Sequence, residues 1–266
     1  MAKVSLTPTL RAEYKRLFET CVVNPDRKAA VDSLVDQLAA NRSRYEKVAN
    51  TLRIPWQFIA VIHNMESSQR FDRHLHNGDP LNARTRQVPA GRPKTGNPPF
   101  TWEESATDAL TMRGIGGDTD WSLEGTLYQI EGFNGWGYRN FHPHVPSPYL
   151  WSFSSHYKSG KYVADGTWSE TAKSAQCGAA LLLRRMAERK LYGEAPGTAA
   201  PASPLVVAYS MSKSSDPAKV QQAIALQAWL NGHPGIFVAL DGAPGRNTSD
   251  AYRKVTGHYL PGDPRG

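Results

Sequence analysis

The chain has 266 residues, 40% hydrophobic and 21% charged, the balance of a folded globular protein rather than a disordered or fibrous one. It contains no run of about 18 apolar residues, which argues against a membrane-spanning helix. A formal net charge of +7 suits a polyanionic partner, but the Lys and Arg residues are scattered, and no basic tract, zinc finger or RNA-binding signature occurs, so no nucleic-acid partner is expected.

The N-terminal M-A-K-V-S-L-T-P-T-L lacks the apolar core of a secretory signal, so synthesis in the cytoplasm is expected. Leu10, Tyr14, Leu17 and Phe18 share one face after Pro8, which predicts an amphipathic helix ending near Cys21. Val31, Leu34, Val35, Leu38, Tyr45, Val48 and Leu52 continue helical spacing, as one long helix or two short ones. Cys21 and Cys177 both stand in apolar helical contexts and are expected as buried free thiols.

The stretch I-P-W-Q-F-I-A-V-I-H-N-M-E-S-S at 54–68 reads as an apolar helix with Pro55 at its first position. The run ends at Glu66. A carboxyl at the lip of a core is partly desolvated, which raises its pKa and keeps it protonated near neutrality. That is the state a glycosidase needs in its general acid. Residues 70–100 are too rich in Gly and Pro for a long helix; Asn77-Gly78-Asp79 marks a turn, and residues 83–88 alternate like a short strand. Asp79 is the candidate second carboxylate, Asp72 a weaker rival, and Thr85 an alternative holder of the water. The bland reading of Asp79 is a turn residue before Pro80. His63, His74 and His76 lie close together but lack metal-ligand spacing, so no metal and no cofactor is expected; His74 and His76 are expected to bond the loop.

Glu66-Ser67 at the end of an apolar helix resembles the catalytic Glu-Ser of goose-type lysozymes and soluble lytic transglycosylases. With H-L-H-N-G-D-P-L at 74–81, the stretch is similar to the lysozyme-like domain of phage endolysins and bacterial cell-wall hydrolases. The resemblance implies a mainly α, lysozyme-like domain with a small β-hairpin forming one wall of a glycan cleft. It also implies Ser67 and His76 as substrate-binding residues beside Glu66. If Asp79 faces Glu66 across the cleft, it steers a water in inverting chemistry, which calls for carboxyls about 6.5–9.5 Å apart. The Met-rich G-L-M-Q motif of many transglycosylases is missing after Glu66.

F-T-W-E-E-S-A-T-D-A-L-T-M-R-G predicts a helix capped by Thr101, with Glu104 completing a capping box and Gly114 stopping it. Residues 121–132 form the next helix, followed by F-N-G-W-G-Y-R at 133–139. Lytic transglycosylases carry an aromatic-Asn-Gly turn at the matching place, and by that resemblance Tyr128 and Asn134 touch N-acetyl groups. Residues 136–168 are aromatic-rich; rings with polar tips serve as sugar platforms or as core, and Tyr149 and Trp151 are the two expected to line the groove. A loop with a short extended piece is expected at 159–168, then a closing helix from Ser169 to about Leu191.

An Ala/Pro-rich linker at 194–204 separates residues 1–193 from a small module at 205–266. An amphipathic helix at 218–231 and the pattern L-Q-x-x-L-N, then D-G-x-x-G-x-x-T-x-x-A, resemble a three-helix peptidoglycan-binding domain. Leu226, Asp241, Gly242 and Thr248 match that pattern, and Trp229 joins them as a candidate wall-binding residue. The tail G-H-Y-L-P-G-D-P-R-G departs from the longer final helix with Phe-Gln usual in that family.

These readings converge on a peptidoglycan-degrading glycosidase cleaving the β-1,4 bond between N-acetylmuramic acid and N-acetylglucosamine, with peptidoglycan strands as partner. The alternatives are a lytic transglycosylase giving anhydro products, a chitinase or chitosanase, and a non-catalytic wall-binding structural protein. Without a signal peptide, release through a holin-type pore or delivery by a phage or injection machine is expected.

Overall fold

The computed structural model describes residues 3–189, 191, 207–231, 233, 236 and 238–266. The described chain is mainly helical, with one small two-stranded antiparallel sheet. No described helix is long and apolar enough to cross a membrane. The linker expected at 194–204 lies outside the described residues.

Local signals set the first helices. In α1 (Pro8–Thr20) the Thr7 hydroxyl accepts from Leu10 N–H, and Leu10, Tyr14, Leu17 and Phe18 are buried. The continued spacing after Asn24 resolves into α2 (Lys28–Ala40) and α3 (Arg42–Leu52), parted at Asn41, whose N–H and side-chain amide both turn back to the Gln37 carbonyl. Arg53 takes a left-handed conformation (φ 56°) and ends α3.

Helix α4 (Trp56–Ser67) is the centre of the fold. Pro55 is its N-cap, one position earlier than its sequence suggests, and every residue from Trp56 to Met65 is buried. A helix apolar on all sides has no face for water and must be surrounded. Accordingly α4 packs against α3, α6 and α9.

His63 of α4 is fully buried among Tyr45, Phe71 and Trp102, with the Tyr45 hydroxyl 3.0 Å from Nδ1. Burial, with some help from the Arg44 charge, pushes its pKa down to about 4. The folded state therefore binds a proton at His63 more weakly than the unfolded chain does. Its contribution to stability is complete above about 6.5 and is lost as pH falls from there towards about 4. The expected loss is about 3 kcal/mol. Melting His63→Gln and the wild-type protein across that window checks this; the substitution flattens the acid slope.

The Gly/Pro-rich segment 70–100 holds no strand. An isolated bridge pairs Arg73 with Pro80, and the alternation at 83–88 forms no ladder, which corrects the β-hairpin expected there. Side chains do the work of a ladder. Arg92 grips Asp108 through two nitrogens, His76 Nε2 meets the same carboxylate at 2.7 Å, and His74 spans Ser105 Oγ and Ala83 O, both at 2.8 Å. These bonds fasten the segment to α5 (Trp102–Met112), which carries the expected Thr101/Glu104 capping box.

Helix α6 (Leu123–Asn134) begins at a Ser122 cap and is followed by the short helices α7 (Gly137–Phe141) and α8 (Pro148–Trp151). The extended piece expected at 159–168 is a hairpin of β1 (Lys161–Ala164) and β2 (Thr167–Ser169), with Tyr162 opposite Trp168. Helix α9 (Ala179–Glu188) starts ten residues later than its composition suggests. Residues up to Gly178 are held irregular by α8: Gly178 N–H bonds Ser152 O at 3.0 Å, and a Cβ on Gly178 would lie 2.3 Å from Leu150 O.

Buried apolar residues fall into two clusters, one spanning Leu10 to Ala187 and one spanning Val207 to Leu260. Two helices of the second, α10 (Pro217–Asn231) and α11 (Arg246–Thr256), are present among the described residues, where the sequence reading expects three. The divergent tail takes the place of further helix. Ser249 Oγ donates to Asp263 and accepts from Leu260 N–H, while Arg265 clamps Asp263 and Asp250.

Candidate active site

Glu66 sits in the last turn of α4, where the chain leaves the helix through two successive left-handed residues, Ser68 (φ 52°) and Gln69 (φ 60°). Such conformations are strained for side chains larger than Gly and persist only when their surroundings fix them. Those surroundings are polar. Gln69 Nε2 donates to Asn64 Oδ1 at 3.0 Å, and Gln176 Nε2 donates to Met65 O at 2.9 Å and to Asn64 O at 3.2 Å, the latter also accepting from Ser68 N–H at 3.2 Å, so that carbonyls at the helix end are supplied with donors.

Tyr149 of α8 donates its hydroxyl to Glu66 Oε1 at 2.6 Å. Burial raises the Glu66 pKa above the ordinary glutamate value, and it outweighs the Tyr149 hydrogen bond and the Arg113 charge, which both act to lower it. Burial also pushes the Tyr149 phenol well above its ordinary value, with the nearby Glu66 charge adding to the effect. Tyr149 is therefore a standing neutral donor to Glu66.

The Asn77–Asp79 turn packs on the end of α4: a Cβ on Gly78, itself left-handed at φ 78°, would lie 3.7 Å from Glu66 O. Asp79 follows directly. Its Oδ2 accepts from Arg86 N–H at 2.7 Å, Gln87 N–H at 3.1 Å and Asn77 Nδ2 at 3.1 Å, and none of these bonds uses Oδ1. The two backbone donors hold its pKa below the usual aspartate value. Neighbouring segments thus carry one carboxyl pushed towards its acid form and one held as its base. That division of labour is what acid–base chemistry asks of a carboxyl pair.

The other expected site residues are placed as follows. Thr85 is 3% exposed; its hydroxyl donates to Pro89 O and accepts from Arg92 N–H, so it is spent on the loop and is not positioned to hold a water. Asp72 is exposed and paired with Arg70. Ser67 turns its hydroxyl back to His63 O at 3.3 Å. His76 is buried against Asp108 and Ser105, which fits a loop anchor rather than a sugar contact. Ser105, His76 and Asp108 align like a hydrolase triad, but Ser105 has no exposed surface and cannot act as a nucleophile.

Trp151 is 1% exposed and offers no face to a glycan; its helical spacing buries it beneath α8, which corrects its reading as a platform. Tyr128 is buried, its ring tilted against Trp136 with centroids 4.8 Å apart, and its hydroxyl donates to Val4 O. Asn134 is exposed at the end of α6. In the C-terminal module, the motif residues surround the side chain of buried Gln227. Its Nε2 reaches Asp241 Oδ1, Ala243 O and Thr248 Oγ1, and its Oε1 accepts from Gly242 N–H. Leu226 is fully buried and Trp229 packs on the same core. Leu226, Gly242 and Thr248 are thus buried in the module's own packing, while Asp241 is half-buried at its edge.

Sequence reasoning missed three residues. Glu131 is also a carboxyl raised by burial, but it is 2% exposed and bound by Tyr14 and Arg139, a structural tie between α1 and α6. Gln176 gives no local signal, since its partners are more than a hundred residues away. Arg113 looks like the last turn of α5, yet its charge is felt at both Glu66 and Tyr149. Replacing Gln176 by Ala strips Met65 O of its side-chain donor and leaves Asn64 O with Ser68 N–H alone, and is expected to cost about 1 kcal/mol, measured by urea unfolding, with a fall in activity as the end of α4 loses its support.

Four cavities among the described residues lie elsewhere, and none of them is lined by Glu66; one, of about 840 Å³, lies between Pro8, Ser122 and Arg246. The chain matches no family model, no curated protein and no solved structure.

Proposed function

We propose that the chain is a peptidoglycan-degrading glycosidase of muramidase type, with residues 1–193 as a lysozyme-like catalytic domain and residues 205–266 as a peptidoglycan-binding-like module. Glu66, its pKa raised by desolvation, delivers its proton to the oxygen between N-acetylmuramic acid and N-acetylglucosamine. Tyr149 orients that carboxyl by donating to Oε1. Asp79, ionised and with Oδ1 outside its loop bonds, draws a proton from a water attacking the anomeric carbon. The proton balance closes, since Glu66 loses one and Asp79 gains one, and solvent restores both.

The observation that carries this reading is the half-buried carboxyl at the end of α4, bonded to a phenol and raised in pKa. The ionised Asp79 favours hydrolysis over the anhydro-forming route, in which no water enters. Mass spectrometry of digested sacculi separates them: reducing muropeptide ends support the proposal, and anhydro-muropeptides as sole products sink the Asp79 step.

A further inference from the structure

We propose that the cavity of about 840 Å³ beside α11 holds the stem peptide of peptidoglycan, a short peptide that carries carboxylates and one free amine. This rests on the wall-directed reading above and names the part of the wall that residues outside the Glu66 site recognise. The cavity is shared by two parts of the chain. Pro8 and Arg11 of α1 and the 120–124 segment that opens α6 line one side; Ile236, Val238 and α11 line the other. Leu123, Ile236, Val238 and Ala251 are buried and give it an apolar floor. Its volume is that of a site for a ligand of several residues rather than for a single ion.

The charges around that floor divide into those already matched and those left over. Arg11 pairs with Asp120 at 2.6 Å, and Asp250 with Arg265 at 2.7 Å. Exposed Arg246 and Lys254 and half-buried Glu124 line the same space and make no ion pair or side-chain hydrogen bond among the described residues. Arg246, Asp250 and Lys254 stand at i, i+4 and i+8 of α11, so the two free cations are about 12 Å apart along its axis. Glu124, in the first turn of α6, offers a carboxylate from the opposite wall. An extended peptide of four residues spans about 13–14 Å, enough to reach both cations. Two free cations and one free acid over an apolar floor complement a ligand with two carboxylates, one ammonium and small apolar side chains. A stem peptide has that make-up: alanines, a glutamate with a free carboxylate, a diamino acid with a free amine and a terminal carboxylate. A bare polyanion does not, because Asp120, Glu124 and Asp250 line the same space and repel it.

Calorimetric titration of the full chain with N-acetylated L-Ala-γ-D-Glu-L-Lys-D-Ala tests this with no glycan present. Amidating the terminal carboxylate of the peptide, or acetylating its lysine amine, is each expected to weaken binding to the wild-type protein about 5- to 10-fold at low salt, with the gap closing as salt is added. The double variant Arg246→Gln/Lys254→Gln is expected to lose the response to amidation and keep the response to acetylation. Glu124→Gln is expected to do the reverse. That crossed pattern reads the charge pairs themselves, which a general loosening of the fold would not produce. Failure of the peptide to bind, binding indifferent to both chemical changes, responses that survive in the variants, or equally tight binding of a short polyphosphate each overturns the proposal. Digestion of sacculi by the wild-type protein and by Glu66→Gln judges the glycosidase reading separately. Digestion without peptide binding overturns this proposal alone, and peptide binding without digestion upholds it while overturning the glycosidase.

Discussion

Glu66→Gln is expected to lower the rate of peptidoglycan cleavage by about 1,000-fold or more while leaving the fold intact. Gln is nearly isosteric, and its amide oxygen still accepts from the Tyr149 hydroxyl, so the geometry of α4 and α8 survives. What is lost is the proton. Stability should move the opposite way. Burial raises the Glu66 pKa, so the folded protein holds that proton more tightly than the unfolded chain. Its contribution is fully present below the ordinary glutamate value and is lost as pH rises through the raised one. Gln does not titrate. The melting temperature of the variant relative to wild type is therefore expected to climb as pH rises from about 4.5 through the raised value. Loss of activity with a gain in stability separates removal of a catalytic acid from simple unfolding.

Gly178→Ala is expected to damage both the fold and the site, since its added methyl has no room. The added Cβ would meet Leu150 O at 2.3 Å and Ser152 N at 2.7 Å, both backbone atoms of the segment that carries Tyr149. No rotamer change relieves a clash between two backbones, so α8 has to move away from α9. Overpacking of this kind costs about 3 kcal/mol, or roughly 6–12 °C in a domain of this size. The displacement also pulls Tyr149 from Glu66, and misplacing a group at the chemistry costs on the order of 10- to 100-fold in rate. Differential scanning calorimetry and the sacculus assay read the two effects. By contrast, an alanine at Gly114 meets nothing within 4 Å; it carries only the conformational cost of φ 71°.

Those two positions also mark where the sequence is legible. The caps at Thr7, Thr101 and Ser122 and the apolar face of α1 are written within a few residues of themselves, and the structure follows them. Glu66 is conspicuous because a carboxylate after an apolar helix is a local anomaly. The segment 70–100 was misread as a hairpin because its order comes from α5, through Asp108 and Ser105, which the local pattern does not reveal. The late start of α9 has the same origin, a contact between Gly178 and α8. Trp151 and Tyr149 stand two positions apart on one short helix, one buried in the core and one on Glu66, and aromatic composition alone could not tell them apart. In the C-terminal module the D-G-x-x-G-x-x-T pattern was legible as a pattern, but its role is to enclose Gln227.

A titration of side-chain carboxyl carbons in glutamate-labelled protein tests the central claim most directly, with Glu66→Gln assigning the resonance that disappears. The account predicts that this resonance titrates clearly above 4.5, the ordinary glutamate value. A midpoint at or below that value would mean that Glu66 is already ionised when it meets substrate, and would contradict its role as proton donor.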